Sequence, residues 1–348
     1  MDSLPFGALA ALVGLFGGII LGLAGRLGHF CSLAAIETAV YGNDQTRLRM
    51  WGIALGTAII GAFTLETAGV FDFSQSFYHQ IKWNPLASII GGLIFGYGMA
   101  MAGNCGYSAL TRFGGGDLRA LVVLVVMAIF SFATLNGPLA APRLALLPEE
   151  PSEGLNSIAH TLGAATGIAP FAIAVAFATV LILWALSYEK LRHQPEQIFW
   201  AVAVGLAITI GFWGTSTLYD ASFGEGLVES YTFTAPLGRT LIWLMTSSAG
   251  GLVFSVGSVV GVVLGAFIGS TIKRDFHWEA CEDPRELGRQ VGGAALMGIG
   301  GVIAVGCSVG QGLSAFSTLA YSAPVTLAAI AVGGMFGLRQ LIHGFQPD

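Results

Sequence analysis

Charged side chains are scarce along this chain of 348 residues. Asp, Glu, Lys and Arg together make up 10% of the residues, whereas soluble domains usually carry about 25%. A soluble protein of this length would need more polar surface to cover its core. The formal net charge is −5 and the basic residues form no stripe along the sequence, so we expect no nucleic-acid partner.

Closely spaced cysteines are also missing. The chain has four cysteines at widely separated positions: Cys31, Cys105, Cys281 and Cys307. No two are close enough for a CxxC redox or zinc pattern, and the isolated histidines His160 and His193 have no metal-ligand spacing. No quinone-, haem- or nucleotide-binding motif is recognisable. The sequence therefore predicts no metal site and no cofactor, and it does not indicate an enzyme.

Long apolar runs are abundant, and the mean hydropathy is +0.75. A helix that crosses the ~30 Å hydrocarbon core of a bilayer needs roughly 20 mostly apolar residues. The 50 glycines fit this class of protein, because small residues let membrane helices approach closely. We predict an all-α polytopic membrane protein with about nine transmembrane helices, near residues 7–27, 50–70, 86–103, 119–139, 165–188, 197–214, 248–271, 291–306 and 323–342.

Basic residues are distributed unequally between the two predicted sides of the membrane. Of the 15 Lys and Arg residues, only Lys82, Arg143 and Arg239 fall on one side. All the others lie at the end of span one, in the loops after spans one, three, five and seven, or in the C-terminal tail. Because cytoplasmic loops are enriched in Lys and Arg, we predict a bacterial inner-membrane protein with its N-terminus outside and its C-terminus in the cytoplasm.

One short motif occurs twice. Residues 96–105 and 298–307 both read Gly-x-Gly-x6-Cys, and each lies at the third span of a group of four. Corresponding spans are five apart, which is an odd number, so the two groups would cross the membrane in opposite directions. Inverted repeats of this kind are common in secondary transporters. We predict two inverted four-helix repeats, residues 1–140 and 191–348, joined by a linker and connecting helix at 141–190.

Three cysteines lie in glycine-rich segments at the ends of predicted spans: Cys31, Cys105 and Cys307. Irregular backbone at membrane depth survives only where protein or a watery cavity surrounds it, and paired interrupted helices indicate a transporter's binding site. We predict short re-entrant segments whose thiols hold a soft sulfur ligand. Each cysteine alone could instead be a buried small hydrophobe. Neighbouring residues predicted to support this site are Arg26, His29, Asn104, Gly106, Ser308 and Gln311.

Other polar residues give a less specific signal. Glu66 lies within span two, where it is either a functional carboxylate or a neutral, hydrogen-bonded group near the outer interface. Asp220, Glu225 and Glu229 are predicted to form a solvated acidic loop outside the membrane. Cys281 lies in a charged loop, and we interpret it as incidental.

The cysteine segments resemble those of the YeeE/YedE family of sulfur-transport membrane proteins. The resemblance is carried by residues 28–31, 96–106 and 296–312, and by the charged stretch at 283–286. It implies an hourglass-shaped helical protein that takes up thiosulfate along three thiols, which here would be Cys31, Cys105 and Cys307. Family members also handle other sulfur or selenium species. Some act with soluble sulfurtransferases, so a cytoplasmic sulfurtransferase or regulator is an expected partner besides the sulfur anion and membrane lipid.

Three functional hypotheses follow from these features. The first is a transporter or channel for thiosulfate or a related small anion. The second is a sensor that binds a sulfur species and signals through its basic cytoplasmic loops. The third is a membrane thiol oxidoreductase, which the missing CxxC pattern disfavours.

Overall fold

The computed structural model describes residues 6–152, 154–224, 226–248, 251–280 and 283–343. Across these ranges the chain forms helices and no strand, which confirms the all-α prediction. The long helices are α1 (Phe6–Arg26), α3 (Thr46–Thr67), α5 (Pro85–Ala102), α7 (Leu118–Leu135), α10 (Pro170–Leu186), α12 (Pro195–Ala221), α14 (Phe254–Lys273), α15 (Pro284–Ile303) and α16 (Ser322–His343).

Short helices connect the long ones. They are α2 (Ser32–Val40), α4 (Phe77–Gln80), α6 (Gly106–Gly114), α8 (Ala140–Leu146), α9 (Ile158–Thr166), α11 (Glu189–Arg192) and α13 (Ala235–Thr246). A 3-10 turn at Phe73–Gln75 precedes α4. A further helix covers residues 308–317, with π-helical geometry at Gly310–Ala315. We call it the 308–317 helix.

Each predicted span falls on one of the long helices. By length and composition, seven helical stretches in the described parts of the chain are suited to crossing a membrane, with α5 and α6 taken together as one stretch of 30 residues. The other two long helices are α10, which has 17 residues, and α15, whose first turns carry Arg285, Glu286 and Arg289. The structure therefore supports a multi-pass membrane protein, and the count of nine spans stays a prediction.

Helices from the two ends of the sequence pack against one another. Helix α1 lies along α14, α3 packs on α12, and α5 packs on both α15 and α16. Helix α7 packs on α15 and α13, while α10 lies mainly against α3. The buried core is consequently built between the early and late parts of the chain, and the short helices enter it from the ends of this bundle.

The connecting segments gather at two ends of the helix bundle. At one end a backbone bridge joins Asp117 to Glu279, and Arg26 forms an ion pair of 2.9 Å with Asp275. At the other end three bridges join segments that are distant in sequence: Ser76 with Val228, Ile81 with Pro151, and Ser157 with Ala320. The connections thus alternate between the two ends of the bundle, as expected of a chain that traverses it repeatedly.

The tightest helix contact joins α1 and α14 through glycine. A Cβ atom added to Gly257 would lie 1.9 Å from the carbonyl oxygen of Ala11, and one added to Gly22 would lie 2.2 Å from that of Val262. Backbones this close leave no room for a side chain. Small residues of this kind let membrane helices gain packing contacts that larger side chains would prevent.

Replacing Gly257 by Val is expected to separate α1 from α14. Overpacking in a close-packed interior costs about 1–3 kcal/mol or more, and here the obstructing atoms belong to backbone. We expect a lower Tm in detergent and a smaller monodisperse fraction by size-exclusion chromatography. Gly292→Ala is the matched control, because a Cβ at that position meets no atom within 4 Å. A Gly257→Val protein as stable as the control would contradict this account.

Candidate functional site

Each of the three predicted site cysteines lies immediately before a short helix. Cys31 precedes α2, Cys105 precedes α6 and Cys307 precedes the 308–317 helix. Each sulfur accepts a hydrogen bond from the backbone N–H three residues further on: Ala34 at 3.5 Å, Ser108 at 3.5 Å and Gly310 at 3.4 Å. The thiols therefore occupy capping positions. They also lie at the positive ends of the helix dipoles, which favour anions.

A residue in the left-handed region interrupts the backbone before each cysteine. The φ angles are 54° at His29, 74° at Gly103 and 57° at Val305. Positive φ is ordinary for glycine but unusual for a β-branched residue such as valine. Such strain persists only where the surrounding structure fixes it, and it is concentrated at functional sites. The break before Cys307 is consequently the most constrained of the three.

Gln311 holds that strained break in place. Its side-chain amide nitrogen donates to the carbonyl oxygens of Ala304 at 2.9 Å and Val305 at 3.1 Å, and its amide oxygen accepts from the Ser322 hydroxyl at 3.1 Å. These bonds satisfy carbonyl groups left free where α15 ends. Gln311 was predicted to support the site, and the structure places it under the break.

Two serines link the cysteine segments to one another. The Ser108 hydroxyl lies 3.1 Å from the Cys31 sulfur and 3.3 Å from the Cys105 sulfur. The Ser32 hydroxyl lies 3.9 Å from the Cys105 sulfur and donates to the Ser308 hydroxyl at 2.8 Å. Ser308 directly follows Cys307, so the starts of the three short helices meet. We call this row of side chains, from Cys31 to Cys307, the thiol–hydroxyl row.

Cys307 has additional partners from the segment before α13. The backbone N–H of Phe233 donates to its sulfur at 3.2 Å, and the Thr232 hydroxyl lies 3.6 Å away. Cys105 and Cys307 are each 1% exposed, whereas Cys31 is partly exposed. The Cys31 end of the row is therefore more accessible than its deeply buried interior.

Two cavities approach the row from its opposite ends. One, of about 240 Å³, is lined by Cys31 and Ser108 together with Arg26, Arg47 and Arg112. We call it the basic cavity. The other, of about 270 Å³, is lined by Thr232, the neighbour of Cys307, and by residues of the segments around Glu229 and Gly306. We call it the threonine cavity. The basic cavity opens among the segments that follow α1 and α5. The threonine cavity opens among those that follow α3, α7 and α12.

The predicted supporting residues have distinct positions. Arg26, His29 and Asn104 line the basic cavity. The Asn104 side-chain oxygen is buried there without a hydrogen bond, so the group is available to a ligand or water. Gly106 instead serves packing, because an added Cβ would lie 3.1 Å from the Phe233 carbonyl oxygen. Ser308 belongs to the thiol–hydroxyl row.

Arg26, Arg47 and Arg112 outnumber Asp275, the one acidic residue among the described residues of the lining, so the basic cavity is positive on balance, although His29 contributes little of this charge. Burial lowers the pKa of His29, and the nearby cations Lys273, Arg47 and Arg26 lower it further. The imidazole is then neutral at neutral pH, with Nε2 positioned 3.2 Å from the Lys273 ammonium. The guanidinium groups supply the field that attracts anions, and His29 supplies a polar surface.

Two acidic residues, Glu229 and Glu66, do not belong to the thiol–hydroxyl row. Glu229 was predicted to be solvated, and this was wrong. Its carboxylate is buried, 3.5 Å from the Arg239 guanidinium and 3.2 Å from the Ser255 hydroxyl, because its loop folds back into the protein. Glu66 lies 2.9 Å from His160 Nε2 and lines neither cavity. Cys281 lies outside the described residues.

Sequence reasoning did not single out Ser32, Ser108, Thr232 or the Phe233 N–H. For the serines a signal was present, because Ser32 adjoins Cys31 and Ser108 is three residues after Cys105, where a helical turn brings it back to the thiol. Thr232 and Phe233 come from a segment about 70 residues from Cys307, and only the tertiary fold brings them there.

A bundle of apolar helices with a buried row of thiols and a cavity at each end is the architecture of a membrane transporter for a small solute. The comparison with protein families agrees. The family described as sulphur transport matches residues 27–336, and the chain belongs to that family. This confirms the resemblance drawn from the cysteine segments.

Two curated relatives match nearly the whole chain. The thiosulfate transporter TsuA of Escherichia coli (strain K12) is 27% identical over 343 residues, covering 92% of this chain and 92% of that protein. The thiosulfate transporter TsuA of Spirochaeta thermophila is 26% identical over 319 residues, covering 89% and 92% respectively. Both relatives carry the name of a transporter and not of an enzyme.

Replacing Gln311 by Leu is expected to loosen the break before Cys307. The carbonyl groups of Ala304 and Val305 would lose their donor, at a cost of about 1–3 kcal/mol for each buried group left unsatisfied. We expect a lower Tm and faster alkylation of Cys307 by a small maleimide. Gln340→Leu, at an exposed position on α16, is the control. Unchanged Tm and alkylation in the Gln311 variant would refute the assigned role.

Proposed function

We propose that this protein takes up thiosulfate across the bacterial inner membrane through the thiol–hydroxyl row. The observation that carries the proposal is the row itself, which runs between two cavities at opposite ends of the bundle. The sulphur-transport family and the two thiosulfate transporters similar to this chain support the choice of substrate. Cys31, Cys105 and Cys307 are the residues proposed to contact the ion.

The chemistry of the row suits a divalent anion. Bare charge in a medium of low dielectric constant is very costly, so a path must replace water with oriented donors. It must also release the ion, which favours several weak sites over one strong site. Protonated thiols are weak donors, and thiolates would repel the ion. Thiosulfate offers the row a soft terminal sulfur for the thiols and oxygens for the hydroxyls.

The proposed architecture has nine spans in two inverted repeats. If α1, α3, α5 and α7 correspond to α12, α14, α15 and α16, then the contact of α1 with α14 corresponds to that of α12 with α3. The contact of α5 with α16 likewise corresponds to that of α15 with α7. All four contacts occur. Cys105 and Cys307 then hold equivalent positions, and the short helices that they cap are re-entrant.

The proposed orientation places the basic cavity toward the cytoplasm. Its lining belongs to segments rich in Lys and Arg, which are enriched in cytoplasmic loops. Thiosulfate would therefore enter from the threonine cavity, meet Cys307 first, pass Cys105 and leave beside Cys31. A cytoplasmic sulfurtransferase that accepts the ion at the basic cavity is the partner suggested by the family resemblance.

The direct test is uptake of labelled thiosulfate by proteoliposomes that contain the purified protein. Cys105→Ala and Cys307→Ala are each expected to reduce the rate by about tenfold or more, which corresponds to an activation barrier higher by about 1.4 kcal/mol. Cys281→Ala is the matched control, because the sequence places Cys281 in a charged loop and we interpret it as incidental. Size-exclusion profiles and Tm of each variant verify that it is folded.

Two outcomes would contradict the proposal. Normal thiosulfate uptake by folded Cys105→Ala and Cys307→Ala proteins would remove the thiols from the path. Absence of flux in the unaltered protein would favour the sensor hypothesis. Thiol trapping before and after oxidant, applied to the same samples, distinguishes the oxidoreductase, which requires a change in the number of reactive thiols.

A further inference from the structure

The threonine cavity contains a charge arrangement that the thiol–hydroxyl row does not use. Arg239 is the one basic residue among the described residues that line it, and two carboxylates line it too: Glu229, and Glu149, which pairs with Arg143. The Arg239 guanidinium nitrogen lies 3.5 Å from the Glu229 carboxylate and 3.3 Å from the Ser255 hydroxyl. The same hydroxyl lies 3.2 Å from the other carboxylate oxygen. A dianion entering here therefore meets an arginine that already has a carboxylate partner.

The two partners differ in exposure. The Glu229 side chain is 8% exposed, whereas that of Arg239 is 35% exposed. A buried carboxylate is costly without a compensating cation, which explains why Arg239 rests beside it. The contact of 3.5 Å is longer than the 2.7–2.9 Å typical of strong charge-assisted hydrogen bonds. The partly exposed guanidinium therefore has N–H donors left for a second anion, and the cost of leaving Glu229 unpaired acts against its complete withdrawal.

An unused hydroxyl lies in the same cavity. Thr234 is 1% exposed, and its hydroxyl makes no hydrogen bond, although buried polar groups are normally paired. Thr232, two residues earlier, lines the cavity as well and contacts the Cys307 sulfur. Hydroxyl groups, which bind oxygen atoms, thus lie on the approach to the Cys307 thiol, which is suited to a soft sulfur atom.

We propose that Arg239 and Thr234 form a capture site for the oxygens of the incoming ion, and that Glu229 is a built-in competitor for Arg239. Without substrate, Arg239 pairs with Glu229. With thiosulfate present, Arg239 and Thr234 hold the sulfonate oxygens, and the terminal sulfur faces Cys307. Return of Arg239 to Glu229 then helps to release the ion into the row. This inference rests on the proposed transport function and adds specificity residues to it.

The arrangement favours ions with two chemically different ends. Sulfate carries only oxygens, so it satisfies Arg239 and Thr234 and offers nothing soft to the Cys307 thiol. Thiosulfate satisfies both groups. Discrimination between these ions should therefore depend on the distance between the oxygen-binding residues and the thiol. It should weaken when either the oxygen-binding residues or the thiol are replaced.

The test measures thiosulfate uptake over a range of concentrations, with Glu229→Gln, Arg239→Gln and Arg239→Lys proteins in proteoliposomes. Removing the competitor in Glu229→Gln should lower the half-saturating concentration several-fold and also lower the maximal rate, because release slows. Arg239→Gln should raise the half-saturating concentration about tenfold or more, as expected for the loss of a charged hydrogen-bonding group. Arg239→Lys should give an intermediate half-saturating concentration, because lysine keeps the charge but lacks the planar set of guanidinium N–H donors.

Opposite shifts of the half-saturating concentration in Glu229→Gln and Arg239→Gln distinguish capture from a structural role, since loss of a stabilising ion pair would impair both proteins alike. Lys82→Gln, in the exposed pair with Glu150 at the same end of the bundle, is the control and should leave both kinetic parameters unchanged. A half-saturating concentration in Glu229→Gln that is equal to or higher than that of the unaltered protein overturns the proposal. If a variant fails to fold, Thr234→Val, which replaces the hydroxyl by a methyl group of similar size, tests the capture site through a raised half-saturating concentration.

The outcomes also separate this inference from the transport proposal. Strong loss of uptake in the cysteine variants, with unaltered kinetics in the Arg239 and Glu229 variants, would refute the capture site and leave the thiol row intact. Normal uptake in the cysteine variants, with opposite shifts in the two charge variants, would leave the capture site and refute the row.

Discussion

The starts of three short helices meet in the interior of an apolar protein, and their free N–H groups must find partners there. Backbone groups left unpaired at membrane depth cost several kcal/mol each. Cys31, Cys105 and Cys307 satisfy one N–H group in each helix through sulfur. The left-handed residues before each helix, the Gln311 bonds and the bridging serines all accompany these buried helix starts. The same requirement shapes both the fold and the proposed path.

Sulfur is a weak acceptor compared with the oxygen of Ser, Asp or Asn, the usual capping residues. A strong oxygen cap would hold the helix N–H groups and compete with an anion for them. A sulfur cap leaves those groups easier to share, and it presents a polarisable surface to a sulfur-bearing ion. In the proposed path, weak capping therefore costs helix stability, and in return an ion is held loosely at several places, as rapid passage requires.

The large features of the fold could be predicted from sequence, because apolar runs and glycine content reflect the solvent that each helix faces. The site was predictable in part. A spaced Gly-x-Gly-x6-Cys motif identifies Cys105 and Cys307. Cys31 shares only their glycine-rich surroundings, and the structure joins it to Cys105 through Ser108. Glu229 looked solvated within an acidic loop. Its burial depends on Arg239 and on Ser255 from α14, which no local pattern reveals. His160 likewise gains Glu66 as a partner only through the packing of distant segments.

In the proposed path, the soft atom of the substrate travels along the three thiols. The most direct measurement is an experimental structure of the protein with bound selenosulfate, in which selenium replaces the terminal sulfur and is located by its anomalous signal. Our account predicts a selenium peak within hydrogen-bonding distance of the Cys31, Cys105 or Cys307 sulfur, with the oxygens directed toward hydroxyl or guanidinium groups. Selenium sites confined to regions away from all three sulfurs, under conditions in which the same protein transports the ion, would contradict it.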